Sequence, residues 1–197
     1  MLGKEIDKSL KLFSKLPSLG ARSSRRIILQ LLKRKENLLY PLINALKDMA
    51  DAIETCPICG NYDTVSPCSI CQDTRKDKSI ICVVQDVADL WALERTASYK
   101  GQYHILGGVL SALDGVVPDD LNIEKLIKRA SSEEVVEVII ALPATIDGQT
   151  TAHYISSKLK PLNIKISGLA HGVPVGGELD YLDDGTIQMA INSRKEL

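Results

Sequence analysis

The chain has 197 residues, of which 45% are hydrophobic and 4% aromatic, and its formal net charge is −1 at pH 7. This length and hydrophobic content support a buried core and one or two domains, with no internal repeat or low-complexity stretch. The scarcity of aromatic residues argues against base stacking as an obvious way of contacting nucleic acid. No secretory signal and no apolar membrane run precedes the first cysteine, Cys56, so we expect a cytoplasmic protein without membrane contacts.

The first 36 residues are strongly basic, with ten Lys or Arg residues against three acids, and the rest of the chain is acidic overall. A basic end on a nearly neutral chain indicates a surface that meets a polyanion. A solvated, Lys-rich helical face explains the charge alone equally well. Apolar residues at helical spacing predict two short helices, residues 5–15 and 22–35, and a third over about 38–53.

The segment between the first two predicted helices, residues 16–26, resembles a helix-hairpin-helix. In that motif a tight turn lets backbone N–H groups approach a phosphate, and the next helix presents its positive N-terminal end. Ser18 stands where the motif usually has its first glycine, so a positive φ there would carry strain. The alternative is an ordinary helical hairpin. The residues predicted to contact DNA are Gly20, Arg22, Arg25 and Arg26.

Four cysteines form two C-x-x-C pairs with eight residues between them, which is the most informative pattern in the chain: Cys56, Cys59, Cys68 and Cys71. Two such pairs can place four thiolates around one Zn²⁺ tetrahedrally. The alternatives are two disulfides or four unrelated core thiols, and a reducing cytoplasm disfavours disulfides. Four thiolate ligands leave no open position for water, so we predict one structural zinc ion per chain and no catalytic metal.

Strand and helix patterns alternate through the remainder of the chain. Strands are predicted at residues 79–84, 103–106, 135–142 and 164–170, and helices at 87–97, 123–130 and 149–159. This alternation predicts an α/β fold with a mostly parallel sheet covered on both faces. A Gly-rich loop at 172–177, an acidic patch and a final strand near 186–191 follow. His171 is expected to make a structural hydrogen bond at the end of the last sheet strand.

The order of these segments resembles the RecR family of recombination mediators over nearly the full length. The most specific matching pieces are the cysteine spacing, residues 110–115 followed by 118–120, and residues 171–178. The resemblance implies a helix-hairpin-helix DNA-binding region at 1–54, a four-cysteine zinc module at 55–77 and a Toprim domain at 78–171. It also implies that residues 172–197, a Gly-rich loop and strand, contact another subunit.

The resemblance further implies a non-catalytic, nucleoid-associated mediator of DNA repair. Such proteins bind single- and double-stranded DNA without sequence preference and assemble as dimers or ring-shaped tetramers. They act with RecO and RecF to promote RecA loading onto SSB-coated single-stranded DNA at gaps. A generic zinc-stabilised interaction module without a nucleic-acid role is a weaker alternative.

The predicted Toprim domain departs from catalytic members at its acidic positions. Those members have a Glu at the end of the first strand and an Asp-x-Asp pair further on, which hold Mg²⁺ and move protons. Here Gln85 takes the strand-end position, and the later loop keeps a single acid, Asp147. We therefore expect no catalytic residue. The alternative is a Mg²⁺-dependent nuclease or primase-like enzyme with a degenerate site.

The same positions can instead form a docking surface for a protein partner. The resemblance associates the strand-end residue and an Asp four residues further on with RecO binding, which here are Gln85 and Asp89, and we add Asp147. For Asp89 the alternative is an acid in the first turn of a helix that favours the helix dipole. The Gly-rich segment near the C-terminus has no Walker A partner, so ATP hydrolysis is not expected.

Overall fold

The computed structural model describes residues 3–170 and 172–194. His171, for which the sequence predicts a structural hydrogen bond, lies outside these residues. The chain divides between Ile53 and Glu54 into two compact units. Within the described residues, no helix has the length and apolarity needed to cross a membrane.

The first unit is helical, as the sequence predicts. It consists of α1 (Lys4–Phe13), α2 (Ala21–Lys33), a π-helical turn (Lys35–Leu39) and α3 (Tyr40–Ala52). Helix α1 packs on α2, and Ser14 Oγ lies 3.2 Å from Ser24 Oγ across the contact. The buried side chains described for the three helices all lie on α2: Ser24, Ile28 and Leu31.

The second unit opens with a small module built around the four cysteines. Its two short strands, β1 (Glu54–Thr55) and β2 (Tyr62–Asp63), pair antiparallel, and a short helix, α4 (Ser69–Gln72), follows. Three of the cysteines are buried, and the fourth, Cys71, is partly buried. Apart from these cysteines, Ile70 is the apolar side chain that packs against their cluster. The module therefore has very little apolar core of its own.

A four-stranded parallel sheet forms the centre of the second unit, which confirms the predicted α/β fold. Its strands are β3 (Asp77–Val84), β4 (Gly101–Ile105), β5 (Glu137–Ala141) and β6 (Lys165–Gly168), in the order β4-β3-β5-β6. Three longer helices accompany them: α5 (Val87–Arg95), α6 (Ile123–Ala130) and α7 (Ile146–Leu159). Because the chain runs from β3 out to β4 and then back across to β5, the carboxyl ends of β3 and β5 form a topological switch point.

Both faces of this sheet are covered, and the side chains of β3 alternate between them. Ile81 and Val83 lie in one apolar cluster with side chains of α6 and α7, such as Leu126. Cys82 and Val84 lie in a second cluster with side chains of α5 and β4. A continuous apolar run such as that of β3 is what a strand buried on both faces requires.

The final strand predicted near residues 186–191 is wrong, because this segment is a helix, α8 (Asp184–Asn192). Asp183 caps it, since its carboxylate accepts hydrogen bonds from the Thr186 N–H at 3.0 Å and the Thr186 hydroxyl at 2.6 Å. The alternating apolar residues of this segment satisfy a strand pattern. Ile187, Ala190 and Ile191 also fit the i, i+3, i+4 pattern of a helix, and the capping residue decides between the two.

Candidate functional site

The four predicted zinc ligands converge on one point. Their Sγ atoms all lie within 4.8 Å of one another, with Cys56 and Cys71 3.9 Å apart and Cys59 and Cys68 3.5 Å apart. Four sulfurs at a Zn–S distance of about 2.3 Å from a tetrahedral ion are about 3.8 Å apart. The geometry therefore fits a four-cysteine zinc centre and excludes the alternative of four unrelated thiols.

Backbone hydrogen bonds shape the first knuckle around its sulfurs. The Gly60 N–H donates to the Cys56 carbonyl at 2.9 Å, and Gly60 has φ = 85°, a left-handed conformation that favours glycine. The N–H groups of Asn61 and Cys68 point at the sulfurs of Cys59 and Cys56, each at 3.4 Å. Such N–H groups stabilise sulfur as the thiolate, which is the form that binds zinc.

The four thiols cannot all ionise by themselves in this small volume. Hydrogen bonding from Cys71 lowers the pKa of Cys59 to about 5, whereas the same contact raises the pKa of Cys71. Burial raises the pKa of Cys68 to about 11. A divalent cation at the centre removes this conflict, because it neutralises half of the charge of four thiolates.

Two long-range hydrogen bonds join the zinc module to strand β4 and helix α5, and neither was predicted from the sequence. The Ile105 N–H on β4 donates to the Cys59 carbonyl at 2.8 Å, and the Trp91 indole N–H on α5 donates to Asn61 Oδ1 at 3.2 Å. The lack of a side chain at Gly60 also matters here, because an added Cβ would lie only 3.3 Å from the Ile105 Cβ. Trp91 is the one tryptophan of the chain and lies on an exposed helix face, and it was the feature of the sequence that could have indicated this contact.

The hairpin between α1 and α2 contains a tight turn at Pro17 and Ser18. The Leu19 N–H donates to the Leu16 carbonyl at 3.2 Å, and Ser18 has φ = 63°, as the third residue of a type II turn requires. The position aligned with the first glycine of the motif therefore does need a positive φ, which costs a residue with a side chain about 1 kcal/mol or more.

Gly20 caps α2 without a side chain and leaves the first turn of the helix open. Its carbonyl accepts the Ser24 N–H at 2.9 Å and the Ser24 hydroxyl at 3.0 Å, while no side chain caps the first N–H groups. A Cβ added at Gly20 would meet nothing within 4 Å, so the backbone is accessible from this side. An open helix N-terminus of this kind attracts anions.

Three basic side chains surround this open turn. Arg22, Arg25 and Arg26 are exposed, and none of them makes an ion pair with any residue that the structure describes. Arg22 and Arg26 are one helical turn apart and can face the same ligand. The hairpin thus brings together all four residues predicted to contact DNA.

Gln85 and Asp147 follow neighbouring strands at the switch point of the sheet. Gln85 comes directly after β3, and Asp147 lies in the first turn of α7, after β5. The Asp147 carboxylate makes no hydrogen bond or ion pair to any residue in the described part of the chain, and its side chain is partly exposed. One carboxylate and one neutral amide offer few of the oxygen ligands that Mg²⁺ prefers.

Asp89 has a structural role in the neighbouring helix. Its side chain accepts the Asp86 N–H at 3.1 Å, and the Asp86 side chain accepts from the Asp89 N–H in return, which forms a capping box at the start of α5. This supports the alternative for Asp89, an acid in the first turn of a helix. Its docking role stays a prediction.

The fold and the cysteine centre define a class: a zinc-finger protein with a Toprim domain. Models of known families agree with this class in three segments. Residues 55–73 match the four-cysteine zinc finger domain of RecR, residues 79–170 match the Toprim domain, and residues 172–195 match the C-terminal segment of RecR.

Whole-chain relatives then specify the family. Recombination protein RecR of Paramagnetospirillum magneticum is 57% identical over 195 residues, which cover 99% of each chain. Those of Parvibaculum lavamentivorans and Rhodospirillum rubrum are 58% and 57% identical, over 98% and 97% of this chain and 97% of each relative. The chain belongs to the RecR family of recombination proteins, and its four clustered cysteines hold one structural zinc ion.

Replacing a zinc ligand tests how far the module depends on the metal. We expect Cys56→Ser to lose zinc and to lower the free energy of unfolding, because metal binding here is folding free energy. Cys82, a buried cysteine outside the cluster, provides the control, since Cys82→Ala should keep one zinc per chain. Metal analysis of the purified proteins measures both. Well under one zinc per chain in the folded wild type would contradict the assignment.

Proposed function

We propose that this protein is a non-catalytic DNA-binding mediator of recombinational repair, which is cytoplasmic and associates with the nucleoid. In this proposal the first unit binds the phosphate backbone of DNA, and the sheet of the second unit docks RecO. With RecO and RecF, the protein promotes RecA loading onto SSB-coated single-stranded DNA at gaps. The open first turn of α2, with three arginines around it that make no ion pair in the described part of the chain, is the observation that carries the proposal.

Contacts of this kind read charge and not sequence. Backbone N–H groups at a helix N-terminus and arginine side chains bind phosphate oxygens, which are the same at every base pair. The hairpin supports binding to both single- and double-stranded DNA without sequence preference. The affinity should fall steeply with salt, because each phosphate contact releases counterions.

Charge reversal on the hairpin tests this binding mode. We expect Arg22→Glu/Arg26→Glu to weaken binding to a fluorescent oligonucleotide at least ~10-fold and to reduce the log–log salt slope by about 1.5, as the loss of two phosphate contacts predicts. Fluorescence anisotropy across a salt series measures both quantities.

A charge-matched pair on the neighbouring helix provides the control. Lys4 and Lys8 are exposed on α1 and also lie one turn apart, so Lys4→Glu/Lys8→Glu changes the net charge equally. This variant should lose clearly less affinity than the arginine variant. Equal losses of affinity in the two variants would mean that overall charge, and not the hairpin, accounts for DNA binding. Unchanged binding in the arginine variant would mean that the hairpin takes no part in it.

The residues of the sheet support a role in docking a protein better than a role in cleaving DNA. In the described part of the chain, the four cysteines are the one cluster of three or more Cys, His, Asp or Glu side chains within reach of a common metal ion. The switch point holds Gln85 in place of a carboxylate. DNA incubated with Mg²⁺ or Mn²⁺ is therefore expected to stay intact. Metal-dependent cleavage that disappears in Asp147→Ala would establish the nuclease alternative instead.

The carboxyl edge of the sheet has features of a protein-docking surface. Ile146 and Leu113 are 84% and 99% exposed, and Ile146 adjoins Asp147, whose carboxylate has no partner among the described residues. The Leu110 N–H donates to Thr151 Oγ1 at 2.9 Å, which ties the loop of Leu113 to helix α7. Exposed apolar side chains beside such an acid are complementary to a partner surface with apolar pockets and basic groups. We propose that RecO provides this surface.

Opposite substitutions at this edge should change RecO binding in opposite directions. We expect Gln85→Glu to strengthen binding, because a charge-assisted hydrogen bond is roughly twice as strong as a neutral one. Asp147→Lys should weaken binding ~10-fold or more. Glu134→Lys, an exposed charge reversal before the amino end of β5, provides the control. Titration of purified RecO by calorimetry measures all three, and unchanged affinity in both edge variants would contradict this docking site.

Helix α3 supports assembly into dimers or rings. None of its residues is buried, although Ile43, Leu46 and Met49 form an apolar stripe and are 49%, 50% and 56% exposed. A helix gains most of its stability by packing such a stripe. The first unit is short and basic, and in a single chain this apolar stripe is exposed. We therefore assign a second copy of the chain as the surface that covers it.

A single charge in the stripe should disrupt this assembly. We expect the wild type to have at least a dimer mass in light scattering and Leu46→Glu to shift towards the monomer mass, because burying an unpaired charge is unfavourable. Lys47→Glu, the exposed neighbouring position, should behave as the wild type. A monomeric wild type at high protein concentration would contradict the oligomer proposal.

A further inference from the structure

Arg129 is a partly buried cation without a carboxylate partner among the described residues. It lies in the last turn of α6, and its guanidinium donates from Nη1 to the Tyr103 carbonyl at 2.7 Å and from Nη2 to Gln102 Oε1 at 3.0 Å. Its third neighbour is His104 Nδ1, 3.2 Å from Nη1. Within residues 3–170 and 172–194, Arg129 forms no ion pair.

The neighbouring histidine cannot provide the missing negative charge. His104 Nε2 lies 2.8 Å from the Asn122 carbonyl, which can only accept, so Nε2 carries the proton and Nδ1 accepts from Arg129. Burial lowers the pKa of His104 to about 4, and the nearby Arg129 adds to this shift. The ring is therefore neutral at pH 7 and orients the guanidinium without balancing its charge.

The outer edge of β4 brings this cation next to the zinc module. The Leu106 N–H donates to the Val84 carbonyl, so this even-numbered residue faces β3, and alternate residues of a parallel strand face opposite sides. Tyr103 and Ile105 thus both face outward. Arg129 binds the carbonyl of Tyr103, and the Cys59 carbonyl binds the N–H of Ile105. Two residues along a strand span about 6.6 Å, so the guanidinium and the cysteine knuckle are neighbours on one edge.

The two neighbours have opposite and individually unfavourable charges. A zinc ion with four thiolates is doubly negative, and three of its four sulfur ligands belong to buried residues. A charge removed from water without a partner is destabilising, whereas neighbouring opposite charges stabilise each other in a medium less polar than water. Burial lowers the pKa of Arg129, and the thiolates of Cys71, Cys59 and Cys56 act in the opposite direction.

We propose that Arg129 is the counter-charge of the zinc–thiolate centre, held in place by the Tyr103 carbonyl, Gln102 and His104. In this role it is a positioning residue that does not touch the metal. Its positive charge offsets the negative charge of the zinc–thiolate centre and so strengthens zinc binding. Groups outside the ligand shell of a metal typically change its affinity 10–100-fold when they are replaced.

Zinc affinity of the full-length, zinc-loaded protein tests the proposal, measured by competition with a chromophoric chelator. We expect Arg129→Gln to weaken zinc binding about 10–100-fold, and Arg129→Lys, which keeps the charge but loses the forked hydrogen bonds, to weaken it clearly less. Lys128 carries an exposed positive charge in the same last turn of α6, so Lys128→Gln is the control and should change affinity by less than about twofold.

A second variant leaves Arg129 in place and gives it another partner. Gln102→Glu puts a carboxylate where the amide oxygen now lies 3.0 Å from Nη2, so that it pairs with the guanidinium and offsets its charge. Zinc affinity should fall in this variant although circular dichroism shows an intact fold. Unchanged affinity in Gln102→Glu would overturn the proposal. Equal losses in Arg129→Gln and Arg129→Lys would also overturn it, because charge would then not be the cause.

Discussion

Four sulfur atoms within 4.8 Å of one another are the arrangement on which the second unit depends. A stretch of about twenty residues cannot bury enough apolar surface to fold alone, so metal binding must supply the folding free energy. Once the metal is bound, the knuckle presents the Cys59 carbonyl to β4 and the Asn61 amide to Trp91. Metal binding by neighbouring cysteines thereby supports two contacts between residues that are distant in the sequence.

The sheet itself retains the geometry of a Toprim domain while its chemistry differs. The carboxyl ends of β3 and β5 still meet at the switch point, where parallel sheets commonly bind ligands. Gln85 has nearly the shape of the acid that catalytic members carry, but it cannot hold a negative charge. Gln85 has the hydrogen-bonding capacity and the partial exposure that the docking role proposed above requires.

Most of the fold could be predicted from the sequence because it is encoded locally. The cysteine spacing, the apolar run of β3 and the helical stripes each appear within a few neighbouring residues. The C-terminal segment was predicted wrongly because its short apolar pattern fits both periods, and the decision depends on one capping side chain, Asp183. Periodicity alone cannot resolve such a case.

The parts of the site that the sequence did not predict depend on contacts between distant residues. Arg129 is an ordinary basic residue at a helix end until the fold places it against β4, and Trp91 is one exposed aromatic until it reaches Asn61. Ser18 is intermediate, since the sequence identified the position but not its backbone angle. Pairings across twenty or more residues leave no local pattern to read.

The hydrogen bond between the zinc knuckle and β4 also protects the sheet from other chains. β4 is an edge strand, and its outward C=O group at Tyr103 and N–H group at Ile105 are partnered by Arg129 and Cys59. A bare edge strand is a template for strands of neighbouring molecules, which leads to aggregation. Chelation or oxidation of the cysteines would uncover this edge, so the metal guards against aggregation as well as unfolding.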